Sequence, residues 1–299
     1  MNEAILRLDK VVREFPGFVL DRVSFTLQPG YVMGLVGPNG AGKTTTIKLI
    51  LGLLRAQAGT ITVFGMDIRR QALAIKRQVG YLGEKLALPD GVTSEWVAAL
   101  FSRCLPNWDD GRFQGYLRRF GVPRNKPVRA LSKGNRAKLA LAAAMAHRPQ
   151  LLILDEPTSG LDPLVRHEVI GALRDVVAEE DRSVLFSTHI VSDLEAIADF
   201  VTVIADGRVI ASEPRDRLTE RWRRLSFRVD DPARGLDDRL RDVRRQGSHV
   251  TAVTDDYCEE LRRTLGQVAS GAVEASALSL EEVFRHLVGT DFSRGADGV

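Results

Sequence analysis

Along the chain, short apolar and alternating stretches surround one long helical tract, and the order of these changes outlines a fold. Residues 6–15 and 23–27 alternate apolar with polar side chains, the two-residue period of half-buried strands. Gln28-Pro29-Gly30 is a turn, and residues 31–36 form a continuous apolar run that reads as a buried strand. Residues 46–54 read as a mostly buried helix, and residues 59–65 as a strand bounded by glycines. From about Thr93 to Arg148 the period turns helical, with candidate helices at 93–103, 110–120 and 136–147. Pro106, Gly121, Pro123 and Pro127 break them. Apolar strands return at 151–156 and 183–187, alternating with helices at 166–179 and 192–198, before a strand pair around Asp206-Gly207. This succession predicts an α/β fold. It has a parallel sheet with helices on its faces, an antiparallel β-layer from the early strands, and a helical insert at about 85–148.

The character of the chain changes near Glu213. Residues 215–224 are dense in both charges and read as a solvated helix or linker, and residues 225–229 read as a strand opening a small α/β unit. Its last helix is well marked: Ser279 and Glu282 form a capping box, and Leu280, Val283, Phe284, Leu287 and Val288 make one apolar face. The expected domains are therefore 1–225 and a small C-terminal accessory domain, 226–299, a division that 299 residues accommodate.

Composition narrows the setting more than the function. With 44% hydrophobic and 27% charged residues, the chain is ordinary for a soluble globular protein. The net charge is only +3 and the basic residues are mixed with acidic ones, so no nucleic-acid partner is expected. Cys104 and Cys258 are far apart without metal spacing and read as reduced thiols of a cytosolic protein. The start lacks the apolar core of a signal peptide, and no apolar run approaches the ~18 residues of a membrane span. A role at a membrane would run through a partner.

Chemistry enters at Gly37-Pro38-Asn39-Gly40-Ala41-Gly42-Lys43-Thr44-Thr45, which fits G-x-x-x-x-G-K-[ST] between a buried strand and a helix. The glycines let successive backbone N–H groups face a phosphate, and the helix N-terminus adds partial positive charge. Lys43 is placed to reach the β- and γ-phosphates of a nucleoside triphosphate, and the Thr44 hydroxyl to ligate Mg²⁺. A second piece is Asp155-Glu156, at the end of an apolar strand. There the aspartate can hold Mg²⁺ and the glutamate can orient or deprotonate an attacking water.

Five segments then occur in one order: Gly37 to Thr45, Leu131-Ser132-Lys133-Gly134-Asn135, Leu151 to Pro157, Ser159-Gly160-Leu161-Asp162, and Ser187-Thr188-His189. This succession closely resembles the ATP-binding subunit of an ATP-binding cassette (ABC) transporter over about residues 1–225. The tail is similar to the accessory segment of the drug-exporter type. The resemblance implies a P-loop NTPase core that binds and hydrolyses ATP with Mg²⁺. It also implies a head-to-tail pair of such domains, as a homodimer or with a related ATPase, working under a polytopic membrane permease at the inner face of the cell membrane. By the same resemblance Ser132, Gly134 and Asp162 serve the nucleotide held by the partner copy, His189 senses the γ-phosphate beside the catalytic Glu156, and Phe15 stacks under the adenine, with Phe18 its neighbouring competitor.

Four positions depart from the family's pattern. Lys133 and Asn135 replace a glycine and a glutamine of the signature, Glu84 stands where a metal-linked glutamine is usual, and Phe15 lacks a tyrosine's hydroxyl. Rival readings fit less well. Asn125-Lys126 begins like a guanine-reading motif without its aspartate. A soluble ABC-type ATPase of the ribosome or DNA would carry two cassettes or long heptads. A non-catalytic regulator would not need Asp155-Glu156.

Overall fold

The computed structural model describes residues 3–83, 88–105, 107–180, 182–230 and 236–289. The chain divides into two compact units, one up to Ser212 and one from Glu213.

The first unit opens with β1 (Leu6–Phe15) and β2 (Phe18–Leu27), an antiparallel pair turning at Pro16-Gly17. β3 (Val32–Val36) follows, buried throughout, and α1 (Lys43–Ile50) comes after the glycine-rich loop. β4 (Ala58–Val63) returns antiparallel to β1, and β5 (Met66–Asp67) closes a four-stranded layer in the order β2-β1-β4-β5. α2 (Ile68–Lys76), capped by Asp67, leads to β6 (Val79–Leu82). The helical insert holds α3 (Ser94–Cys104), α4 (Asp110–Arg119) and α5 (Lys133–Ala146), capped by Thr93, Asp109 and Ser132. β7 (Leu151–Asp155), α6 (Pro163–Glu180), β8 (Ser183–Thr188) and α7 (Val191–Ile197) return the chain to the core. β9 (Phe200–Ala205) and β10 (Arg208–Pro214) finish it, separated by Asp206 and Gly207, both with positive φ, as a tight hairpin turn requires.

The six-stranded sheet has the order β10-β9-β3-β8-β7-β6, and its pairs from β9 to β6 are parallel. β3, β7 and β8 are buried at every position, so their centres, such as residues 151–154 and 184–186, read as short apolar runs rather than alternating ones. A core of side chains including Leu6, Leu8, Met33, Leu35, Ile47, Leu49 and Ile153 joins the antiparallel layer, α1 and the parallel sheet. In the insert, Trp108 packs between Phe101 and Phe113, with ring centroids 5.7 and 5.1 Å away.

Some boundaries differ from the sequence reading for local reasons. The helix expected at 46–54 begins at Lys43 and ends at Ile50, because Gly52 takes φ 61° and turns the chain out of the helix. Ahead of Glu84, Gly80-Tyr81-Leu82 is strand, paired parallel to β7, and Glu84 itself lies outside the described residues. Helix α2 falls in a stretch with no marked period in the sequence, and its Gln71 is non-helical.

The second unit begins with α8 (Arg215–Arg221) and a four-stranded antiparallel sheet. Its strands β11 (Arg223–Arg228), β12 (Arg241–Gln246), β13 (His249–Thr254) and β14 (Glu274–Ala277) lie in the order β12-β13-β11-β14. α9 (Glu259–Val268) buries Leu261 and Leu265 with Leu225, Phe227, Val250 and Ala252 of the sheet. α10 (Leu280–Val288) starts with the full Ser279/Glu282 capping box. Among the described residues, no helix is long and apolar enough to cross a membrane.

Candidate active site

β3, β8 and β7 run parallel and side by side, so the residues just beyond their carboxyl ends converge. After β3 the chain must pass the Ile204 backbone, and a Cβ at Gly37 would stand 2.0 Å from its carbonyl oxygen. Gly42, with φ 109°, occupies the left-handed region as the N-cap of α1. A side chain there would also press on Leu20 and Phe18, at 2.8 and 3.0 Å. No side chain caps α1 and its first turn has no acid, so its N–H groups and positive dipole end are left to a ligand.

Lys43 is 6% exposed. Its Nζ donates to Gly37 O at 2.7 Å and Pro38 O at 3.3 Å, and lies 3.4 Å from Glu156 Oε1. The Thr44 hydroxyl donates to Asp155 Oδ1 at 3.3 Å. Ser187 Oγ donates to the same oxygen at 2.6 Å and accepts from the Glu156 N–H at 2.9 Å. Glu156 Oε2 lies 2.8 Å from His189 Nδ1. Lys43, Thr44, Asp155, Glu156, Ser187 and His189 thus form one continuous network. Thr44 and Asp155 bring hard oxygen donors together, a set that suits Mg²⁺.

The electrostatics favour an ionised base. Burial pushes the Glu156 carboxyl up, but the hydrogen bond from His189 and the charge of Lys43 outweigh it and hold the group below the ordinary glutamate value. Tyr81 shifts the other way: burial and the negative charge of Asp155 raise its phenol, which stays protonated.

Of the remaining sequence candidates, Ser132, Gly134 and Asp162 sit at helix starts. Ser132 is exposed and caps α5, its Oγ accepting from Asn135 N at 3.2 Å. Asp162 caps α6, accepting from Val165 N at 3.0 Å. Gly134 is buried against α6, where a Cβ would meet Val165 at 2.9 Å. Lys133 leans over the loop before α6: its Nζ lies 2.1 Å from where a Cβ on Gly160 would stand. Among the described residues, no hydrogen bond or ion pair joins Ser132, Gly134 or Asp162 to the Lys43 network. Phe15 is half-buried, faces Phe18 across the hairpin, and carries the Arg13 guanidinium 5.0 Å from its ring centre. Phe18 instead packs on the core and against Gly42.

Two residues in this region carry no sequence signal for a role. Ser187 belongs to the segment ending in His189, and its hydroxyl bridges Asp155 and Glu156. Asp193 reads as an ordinary acid in the first turn of α7, yet it is 2% exposed and hydrogen-bonded on both oxygens. Burial was the missing information, and a single sequence does not carry it.

Comparison with known proteins identifies the family. The family described as ABC transporter matches residues 20–159. The daunorubicin resistance ATP-binding protein DrrA3 of Streptomyces coeruleorubidus is 33% identical, over 91% of this chain and 92% of its own. The ABC transporter ATP-binding protein YtrB of Bacillus subtilis (strain 168) is 30% identical over 89% of this chain and 91% of its own. A solved ATP-binding subunit of an ABC transporter, 28% identical, superposes with a TM-score of 0.67 over 72% of this chain and 92% of its own. A third of positions shared with one such protein along nine-tenths of both chains settles the matter: this chain belongs to the ABC transporter family, as an ATP-binding and ATP-hydrolysing subunit.

Proposed function

We propose that the chain hydrolyses ATP at Glu156, in a site that a second copy completes, and that the cycle drives a membrane permease. The observation that carries this reading is the buried contact of Glu156 with both Lys43 and His189 at the end of the phosphate loop. Lys43 rests on two neutral carbonyls, which it can exchange for the β- and γ-phosphates. The N–H groups from Gly37 through Thr45 take the remaining phosphate oxygens, aided by the α1 dipole. Thr44 and Asp155 would hold Mg²⁺, which when bound supplies positive charge to the phosphate oxygens. Glu156, kept as a carboxylate, accepts a proton from the attacking water or orients it, worth roughly 10²–10⁴-fold in rate. His189 fixes the Glu156 carboxylate and hydrogen-bonds the γ-phosphate. Phe15 stacks on the adenine with one face, its ring already polarised by Arg13.

Ser132, Gly134 and Asp162 are the chain's contribution to its partner's nucleotide. They flank the N-termini of α5 and α6, two dipoles suited to a phosphate. Since Glu156 and His189 are both present, a homodimer has two working sites. The subunit then lies at the inner face of the membrane under a polytopic permease, with residues from Glu213 onward as an accessory domain. Relatives named for daunorubicin resistance and for Nod factor export support export as the direction.

Replacing Ser132 with arginine tests the shared site. Ser132→Arg is expected to abolish ATP turnover while each monomer still binds a fluorescent ATP analogue. Retained turnover would show that the signature serine takes no part.

A further inference from the structure

The ladder between β7 and β8 ends where Asp155 faces Ser187, one residue short of Glu156 and two short of His189. The last backbone bond between them runs from Glu156 N to Ser187 O, at 3.2 Å. Beyond it the two chains separate into different loops, yet Glu156 and His189 meet at 2.8 Å. One buried carboxylate takes over where the ladder stops. Asp193 Oδ2 accepts from Thr158 Oγ1 at 2.5 Å and from Thr188 Oγ1 at 3.4 Å, and Oδ1 accepts from Arg166 Nε at 2.6 Å.

The positions of these donors matter. Thr158 lies two residues after Glu156, and Thr188 lies immediately before His189. The Thr188 hydroxyl also accepts from Ile190 N at 2.9 Å, so it grips the backbone on the far side of His189. Arg166 stands in the first turn of α6, where its own N–H donates to Asp162 O at 3.0 Å, and its guanidinium also holds the Ser192 hydroxyl. Asp193 therefore touches the segment leaving Glu156, the segment entering His189, and the helix that Asp162 caps. A group used only to fill space need not be charged, and a carboxylate is stable in the interior only when fully hydrogen-bonded. An asparagine could not replace it, because its amide nitrogen has no lone pair to offer these donors.

We propose that Asp193 is a positioning residue for ATP hydrolysis. By clamping Thr158 to Thr188 it sets the separation of Glu156 and His189, and through Arg166 it ties that pair to the Asp162 end of α6. The proposal rests on Glu156 as the base.

The test compares full-length Asp193→Asn, Thr158→Val and Thr158→Ser with wild type and Glu156→Gln, measuring ATP turnover and affinity for a fluorescent ATP analogue. Asp193→Asn and Thr158→Val should lower kcat at least ~10-fold while KM and analogue affinity stay within about threefold, the mark of a loss confined to the transition state. Thr158→Ser, which keeps the hydroxyl, should remain within about twofold of wild-type kcat. The proposal is overturned if Asp193→Asn or Thr158→Val keeps near-normal kcat while Glu156→Gln is inactive. It is equally overturned if analogue binding falls in step with kcat, or if Thr158→Ser is as impaired as Thr158→Val. Near-normal turnover by Glu156→Gln would remove the base assignment, and the positioning role with it. Should Asp193→Asn fail to fold, the Thr158 pair decides.

Discussion

Glu156 stands at φ 53°, in the left-handed region that costs a residue with a side chain about 1–2 kcal/mol. Two bonds keep it there, from its N–H to the Ser187 hydroxyl and to the Ser187 carbonyl oxygen. The strain belongs to the backbone, so it can be separated from the chemistry. Glu156→Gly should be more stable in urea than Glu156→Ala by about 1 kcal/mol, with both variants inactive, because only glycine relieves the conformation. Equal midpoints, or a more stable alanine variant, would mean that the conformation stores no strain. At this scale the side chains proposed to carry the chemistry, Lys43, Asp155, Glu156 and His189, are readable from motif spacing. That spacing does not show how they are held. Ser187 reaches Asp155 across 32 residues, and Asp193 reaches Thr158 across 35, and no spacing rule links a hydroxyl to a carboxylate at such separations.

At the scale of elements, legibility followed the strength of local signals. The α10 start is the clearest case: Ser279 Oγ accepts from Glu282 N at 3.3 Å, and Glu282 accepts from Ser279 N at 3.0 Å. The Ser279 N–H, and then Arg224 beside it, hold the Glu282 carboxyl down at about 2. A carboxyl depressed on folding contributes stability above its unfolded value, near ~4.3, and loses it as pH falls through the folded value. Because the group is partly open to solvent, with its side chain 28% exposed, screening reduces its contribution to about 1 kcal/mol. Between about pH 4.3 and 2, wild type should therefore lose its advantage over Glu282→Gln, measured by thermal unfolding. A constant difference across that window would contradict the assignment. The buried strands β3, β7 and β8 were equally legible because each is centred on an apolar run. By contrast, β12 is exposed at every position and β14 is too, so neither has an alternating pattern to read. Likewise α1 stops early because of one glycine conformation, which composition does not announce.

At the scale of the molecule, the proposed function makes the phosphate loop only part of an active site. Lys43, Thr44, Asp155, Glu156 and His189 are joined within one chain, whereas Ser132, Gly134 and Asp162 have no bond to that network among the described residues. On the proposed function, the second group serves the nucleotide of another copy. ATP binding then becomes an association reaction, and hydrolysis removes the phosphate that holds the pair together. That link between nucleotide state and closure is what a permease can use. The most direct measurement is the sedimentation of Glu156→Gln in Mg-ATP, where binding is retained and turnover is slowed. A dimer carrying one ATP per chain, dissociating when ATP is withdrawn, is the predicted result; a monomer saturated with ATP would contradict the shared site.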